Sequence, residues 1–486
     1  TEEPTDVPTE EPTDVPTDVP TDVPTEEEAI EEPVEEEIVD EAEEAIIEPD
    51  GLSIIEAADE AAAADVGASA LGSMSTAFAV QNLGNNTASV AVEFRNTAGA
   101  VRNTLNQNIG PGANYNFDQR YDSGKPDSTG ASFKGAAIVS ADQPIGAAAN
   151  MVRTGAVAPS YESYNSLAST QLGTDLLLPQ VLRNVASGGI VYNTTIVIQN
   201  TDTSNAASVN VAFTPYPGGA NGNNYTYPVS IPAGGTAYID QSTTPTQIGT
   251  RFFGSARVTS NRQVAAVTYS DGGGQLLLAY PSYADGTTDF IGLPSIYKNV
   301  SSLGDSYSTA ILIVNFGSIP ANVEIQYLPG GIGSVSGKDT VSVPAKGALN
   351  IDQRFNAPSI TSASFLGGAV IKSTNSQKIA AMVNLRGGTR YAMTYGGILS
   401  GGTIASLPIA YKTISSGGSI PDGTTYSVGS ISQFDLRFTT AVKNQASFIG
   451  SVKVESTNGR RIGAMVQTRG AGGSGDALMA YLGLMP

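Results

Sequence analysis

Few residues in this chain are of types that could do chemistry, and their scarcity already narrows what it can be. The sequence contains no Cys, no His and no Trp. That removes the commonest general base, the thiolate nucleophile and the soft metal ligands. No Ser or Thr stands in a nucleophile–base arrangement, and the Asp and Glu residues beyond position 65 form no paired-carboxylate pattern. The expectation is a protein that is not an enzyme. Hard-cation chemistry remains open, because Asn200-Thr-Asp-Thr-Ser-Asn205 offers oxygen ligands suited to a structural Ca²⁺. The same residues suit an ordinary Asx turn, and no other cofactor is expected. Asn85, Asn193, Asn224 and Asn299 each open an Asn-x-Ser/Thr sequon, which makes them candidate glycan acceptors. Tyr280, Tyr395 and Tyr481 recur at one position of a longer repeat and read as core or corner residues. A sugar-stacking platform would favour exposed aromatics, Trp above all.

The charge is divided along the chain. Residues 1–65 carry 26 acidic and no basic side chains, so the rest is mildly basic within a net charge of −21. Residues 404–486 hold seven bases against four acids, so the acidic arm and the basic end attract one another within or between chains. The arm also serves solubility, and nucleic acid is not an expected partner. No stretch of 18 or more apolar residues occurs, so no membrane span is expected. A start at Thr1 without a charged-then-apolar leader fits a secreted protein whose signal has been removed, hence an extracellular or cell-surface location.

Three kinds of element must position whatever sites exist. Residues 1–28 repeat Thr-Asp-Val-Pro and Thr-Glu-Glu-Pro. A Pro at every fourth position removes donors and fixes φ, which predicts an extended polyproline II spacer. In residues 29–70, Ile30, Val34, Ile38, Ala42 and Ile46 fall four apart, and two apolar runs then flank the turn sequence Pro49-Asp50-Gly51. An Ala-rich linker follows.

From residue 71 the chain repeats itself. Ser75-Thr-Ala-Phe-Ala-Val-Gln-Asn82 recurs as Asn193-Thr-Thr-Ile-Val-Ile-Gln-Asn200 and Ser308-Thr-Ala-Ile-Leu-Ile-Val-Asn315. Phe133-Lys-Gly-Ala-Ala-Ile-Val-Ser140 recurs as Phe253-Gly-Ser-Ala-Arg-Val-Thr-Ser260 and Leu366-Gly-Gly-Ala-Val-Ile-Lys-Ser373. Leu-Pro pairs mark seams at Leu178-Pro179, Leu293-Pro294 and Leu407-Pro408. Alternating apolar and polar residues in short runs predict strands with one buried face. The fold class expected is all-β: tandem immunoglobulin-like or jelly-roll-type β-sandwiches over 71–174, 175–288, 289–403 and 404–486. These patterns resemble the tandem β-sandwich repeats of secreted surface proteins from some filamentous bacteria. That resemblance implies a surface location and carries over no catalytic or binding residue.

The last repeat is short. Leu178 lies 76 residues before Gly254 and Leu293 lies 74 before Gly367, yet Leu407 lies only 43 before Gly450. A sandwich lacking two strands exposes core side chains and an unpaired edge. The expected remedy is strand donation, as in donor-strand-complemented pilus subunits, which this chain resembles in its mode of assembly. The candidate donor is Ala45–Ile55, with Ile46, Ile47, Leu52, Ile54 and Ile55 as its apolar residues. The candidate acceptor comprises Phe448, Val452, Val454, Met465, Leu478 and Tyr481. Donation to a neighbour makes a head-to-tail homopolymer, an extracellular filament. The alternatives are completion by the chain's own arm or a smaller terminal cap, and, for function, a monomeric adhesin or stalk, or a surface-layer lattice protein.

Overall fold

The computed structural model describes residues 73–482, apart from 122–124, 127–131, 155–158, 188, 219–220, 303–304, 389–390, 400, 402–403, 413–447 and 470–477. Among the described residues the architecture is antiparallel β throughout, with only two short 3-10 turns.

The third repeat shows the plan most completely. It comprises β16 (Ile291–Lys298), β17 (Val300–Ser302), β18 (Asp305–Asn315), β19 (Ala321–Ile332), β20 (Asp339–Val343), β21 (Ala348–Asp352), β22 (Phe365–Ser373), β23 (Ile379–Gly387) and β24 (Tyr391–Gly396). One sheet runs β16-β22-β19-β20, and the other runs β21-β18-β23-β24 with β17 folded back on β18. Alternation supplies the core between them. Ile311 and Ile313 of β18 meet Val323 and Ile325 of β19 and Ile371 of β22, all fully buried or nearly so.

The second repeat follows the same plan with β8 (Gly173–Arg183), β9 (Val185–Ser187), β10 (Ile190–Asn200), β11 (Ala207–Pro215), β12 (Tyr225–Ile231), β13 (Thr236–Asp240), β14 (Phe252–Gly272) and β15 (Leu276–Pro281). Here one long strand, β14, serves both sheets. Its first half pairs with β8 and β11, and its second half pairs with β10 and β15. The first repeat has β1 (Ser73–Asn82), β2 (Ala88–Asn96), β3 (Val101–Ile109), β4 (Asn114–Asp118), β5 (Gly135–Ala141), β6 (Ile145–Thr154) and β7 (Ser160–Asn165), in sheets β4-β1-β6-β7 and β3-β2-β5. The fourth has β25 (Ile404–Lys412), β26 (Phe448–Glu455), β27 (Met465–Arg469) and β28 (Leu478–Leu482), paired β25-β26 and β27-β28.

The asparagine that closes each first long strand has a structural job. Asn82, Asn200 and Asn315 are fully buried. The Asn200 Nδ2 donates to the carbonyls of Asn205 and Pro232, and its Oδ1 accepts from the Asp202 N–H. Asn82 and Asn315 repeat this arrangement. One amide thereby satisfies the backbone groups that two consecutive turns would otherwise leave buried and unpaired.

The four repeats do not stand in a row. The edge strand β7 lies against β15 and β28, and β24 lies against the same two, so one strand from each repeat completes a closed circuit. Polar ties cross every junction. Arg153 pairs with Asp271 at 2.8 Å between the first and second repeats, and the Asn384 Nδ2 donates to Gln180 Oε1 at 2.6 Å between the third and second. Asn165 exchanges two hydrogen bonds with the Leu482 backbone, so its side chain acts as a short length of strand between the first and fourth repeats. Across the circuit, Glu162 is fully buried and accepts the Thr394 N–H at 2.9 Å.

Candidate functional site

The site is built from strand edges, so it begins with the strand that starts each sandwich. In β8, Leu176, Leu178 and Val181 stand opposite Val258, Ala256 and Gly254. In β16, Ile291, Leu293 and Ile296 stand opposite Ile371, Ala369 and Gly367. All six of these starting-strand residues are at most 1% exposed. In β25, Ala405, Leu407 and Ala410 take the same register against Val454, Val452 and Gly450. The three inward positions of β8 and β16 are thus i, i+2 and i+5, and the β25 register follows the same spacing. The irregular spacing comes from a bulge at the Leu-Pro pair, where Pro lacks the N–H that a regular ladder would need.

A tyrosine holds the bulge of β8 and another that of β16. The Tyr395 hydroxyl donates to the Ser295 carbonyl at 2.6 Å and accepts the Ser295 N–H at 3.1 Å. Tyr280 makes the same pair with Gln180, the residue after Pro179. Both phenols are buried, and desolvation pushes their pKa values far up. The recurring tyrosines are therefore corner residues at 280 and 395. Tyr395→Phe is expected to lower stability by about 1–3 kcal/mol, since the Ser295 N–H and carbonyl stay buried without a partner. Urea titration of the variant against the parent measures this.

The described strands of the fourth repeat pair on one side only. In the third repeat β22 lies between β16 and β19, and β23 lies between β18 and β24. Their counterparts β26 and β27 each have one strand neighbour among the described residues, β25 and β28 respectively. Burial follows from this. Ala369 and Ile371 are 2% and 0% exposed, whereas Val452 and Val454 in the same register are only half-buried.

Of the candidate acceptor residues, Phe448, Val452 and Val454 lie on β26, Met465 on β27, and Leu478 and Tyr481 on β28. Met465 packs against the core of the third repeat, and the neighbouring Val466 packs against Ala79 and Ala148 of the first. Those two residues therefore build junctions between repeats. All five candidate donor residues, Ile46, Ile47, Leu52, Ile54 and Ile55, lie outside the described residues. Asn85, Asn224 and Asn299 are exposed, while Asn193 is half-buried and its Oδ1 accepts the Asn184 N–H. In Asn200–Asn205, the Asp202 carboxylate accepts the backbone N–H groups of Ser204 and Asn205 and so organises an Asx turn.

A family model described as a PT disordered repeat matches residues 1–30. No curated protein and no solved structure matches the chain. Among the described residues, no helix is long and apolar enough to cross a membrane.

Proposed function

We propose that this chain is a non-catalytic structural subunit of an extracellular filament. Subunits join head to tail when the N-terminal arm of one adds a strand to the fourth repeat of the next. The observation that supports this most is that β26 and β27 each pair on one side among the described residues, where their counterparts in the third repeat pair on both. An edge without a strand partner among the described residues, beside half-buried valines, is a ready template for an added strand. Ala45–Ile55 has the apolar content to serve, and the acidic arm meets a fourth repeat rich in bases.

The closed circuit of edge strands argues against an extended stalk that projects a binding tip. A surface-layer lattice would use the same joint with further lateral contacts. Negative-stain microscopy of the full chain and of a variant with a charged donor segment tests the reading. Filaments from the parent and none from the variant are expected; filaments from both would refute it.

A further inference from the structure

Among the described residues the first repeat also shows one strand fewer, at a different place. β14, β22 and β26 each pair with a starting strand, β8, β16 or β25. Their counterpart β5 pairs with β2 alone among the described residues. Ala137 and Val139 take the register of Ala369 and Ile371 but are only half-buried. Tyr164 occupies the corner position of Tyr280 and Tyr395, yet no bulge among the described residues meets it. It makes no hydrogen bond among the described residues, and burial alone pushes its pKa up to about 12.

The second repeat carries the imprint of the same gap. The outward face of β18 and β23 presents Leu312, Val314, Ala380 and Met382, all at most 1% exposed because they pack into the core of the second repeat, which β8 helps to build. The corresponding residues of the second repeat, Val197, Gln199, Ala265 and Val267, are only half-buried, and Val197 stands opposite Tyr238, whose hydroxyl reaches the first repeat. At the Gly135 end the space is closed, because the Tyr238 hydroxyl donates to the Gly135 carbonyl at 2.7 Å. The stretch left without a second strand among the described residues is Ala137–Ala141.

We propose that this edge seats the chain's own segment Leu52–Ala57 as the missing starting strand. Leu52, Ile54 and Ala57 reproduce the i, i+2, i+5 spacing, which sets Leu52 opposite Val139 and Ile54 opposite Ala137. Ala57 falls where Tyr238 leaves least room, as Ala410 stands at that position of β25. Glu56 falls at the position of Gln180 and Ser295, within the register that Tyr164 serves. Ala61, Ala63 and Val66 share the spacing, but two alanines fill far less of a pocket that elsewhere takes Leu and Ile. The linker from Ala57 to Ser73 holds 15 residues, against nine from Ile296 to Ser306, so it reaches the edge with slack.

This inference rests on the strand-donation reading and deepens it. The arm of a free subunit occupies its own first repeat, and polymerisation requires its release to the fourth repeat of a neighbour. The cis seat therefore holds assembly in check until a better acceptor is in reach.

The chain has no native Cys, so engineered pairs report cleanly. Full chains carrying Leu52→Cys with Val139→Cys, or Ile54→Cys with Ala137→Cys, are oxidised as dilute monomers and mapped by peptide mass spectrometry. Disulfides within one chain are expected in both, and Ala63→Cys with Ala137→Cys should not close. No disulfide, closure only between chains, or closure of the Ala63 pair alone would each overturn the proposal. Hydrogen exchange supplies a second readout without Cys. Amides of Gly135–Ala141 should exchange about tenfold more slowly in the parent than in full-length Leu52→Asp/Ile54→Asp, and equal rates would overturn it. Filaments without the cis disulfide would sink this inference alone. The disulfide without filaments would sink only the filament reading.

Discussion

Changing Ile46, Ile47, Leu52, Ile54 and Ile55 together to Asp in the full chain is expected to abolish polymerisation while loosening no more of the fold than the β5 edge of the first repeat. Five buried aliphatic side chains contribute on the order of 10 kcal/mol gross, at about 1.5–3 kcal/mol each. Ordering the arm and fixing two subunits together offsets much of that. Losing even half of the gross term raises the concentration needed for assembly by at least about 1,000-fold. Sedimentation of parent and variant across a concentration series reads this directly, with circular dichroism as the check on folding. A variant that sediments like the parent would place the joint elsewhere.

The second large effect concerns the junction between the first and second repeats. Arg153 is 1% exposed and its guanidinium is held by Asp271 at 2.8 Å. The Asp271 carboxylate also accepts the Gly274 N–H at 2.9 Å, which fixes it on the β14–β15 turn. Asp271→Ala leaves a buried cation without its counter-charge, which costs about 3–5 kcal/mol. Arg153→Met combined with Asp271→Ala removes both charges and should recover most of that loss, because a buried ion pair adds little over apolar groups of similar volume. Calorimetry of the two variants decides it. If the double variant is no more stable than the single one, the pair is not the source of the effect.

Much of this molecule was legible in its residues. Alternation and the recurring Gln-Asn, Leu-Pro and Phe-x-Gly segments gave the sandwich repeats, because a one-residue slip in a strand turns every side chain to the wrong face. The shortfall in the fourth repeat was visible as a spacing. The packing between repeats was harder to see. Its signal was the unbroken apolar run Ala310–Val314, which marks a strand buried on both faces rather than one. The first repeat, which shows no starting strand among the described residues, also left a trace. Leu178 and Leu293 each stand 22 residues before the closing Asn of their repeats, and the residue 22 before Asn82 is Glu60. A core or corner role for Tyr280 and Tyr395 followed from recurrence, but their bond to the residue after Pro depends on a bulge that spacing alone does not show.

Electron cryo-microscopy of the assembled polymer puts the joint itself in view. The account predicts a continuous strand from one subunit's arm, within Ala45–Ile55, running along the free edge of β26 or β27 in the next. A polymer whose fourth repeat is completed by its own residues between β25 and β26, with the neighbour's arm lying elsewhere, would contradict it.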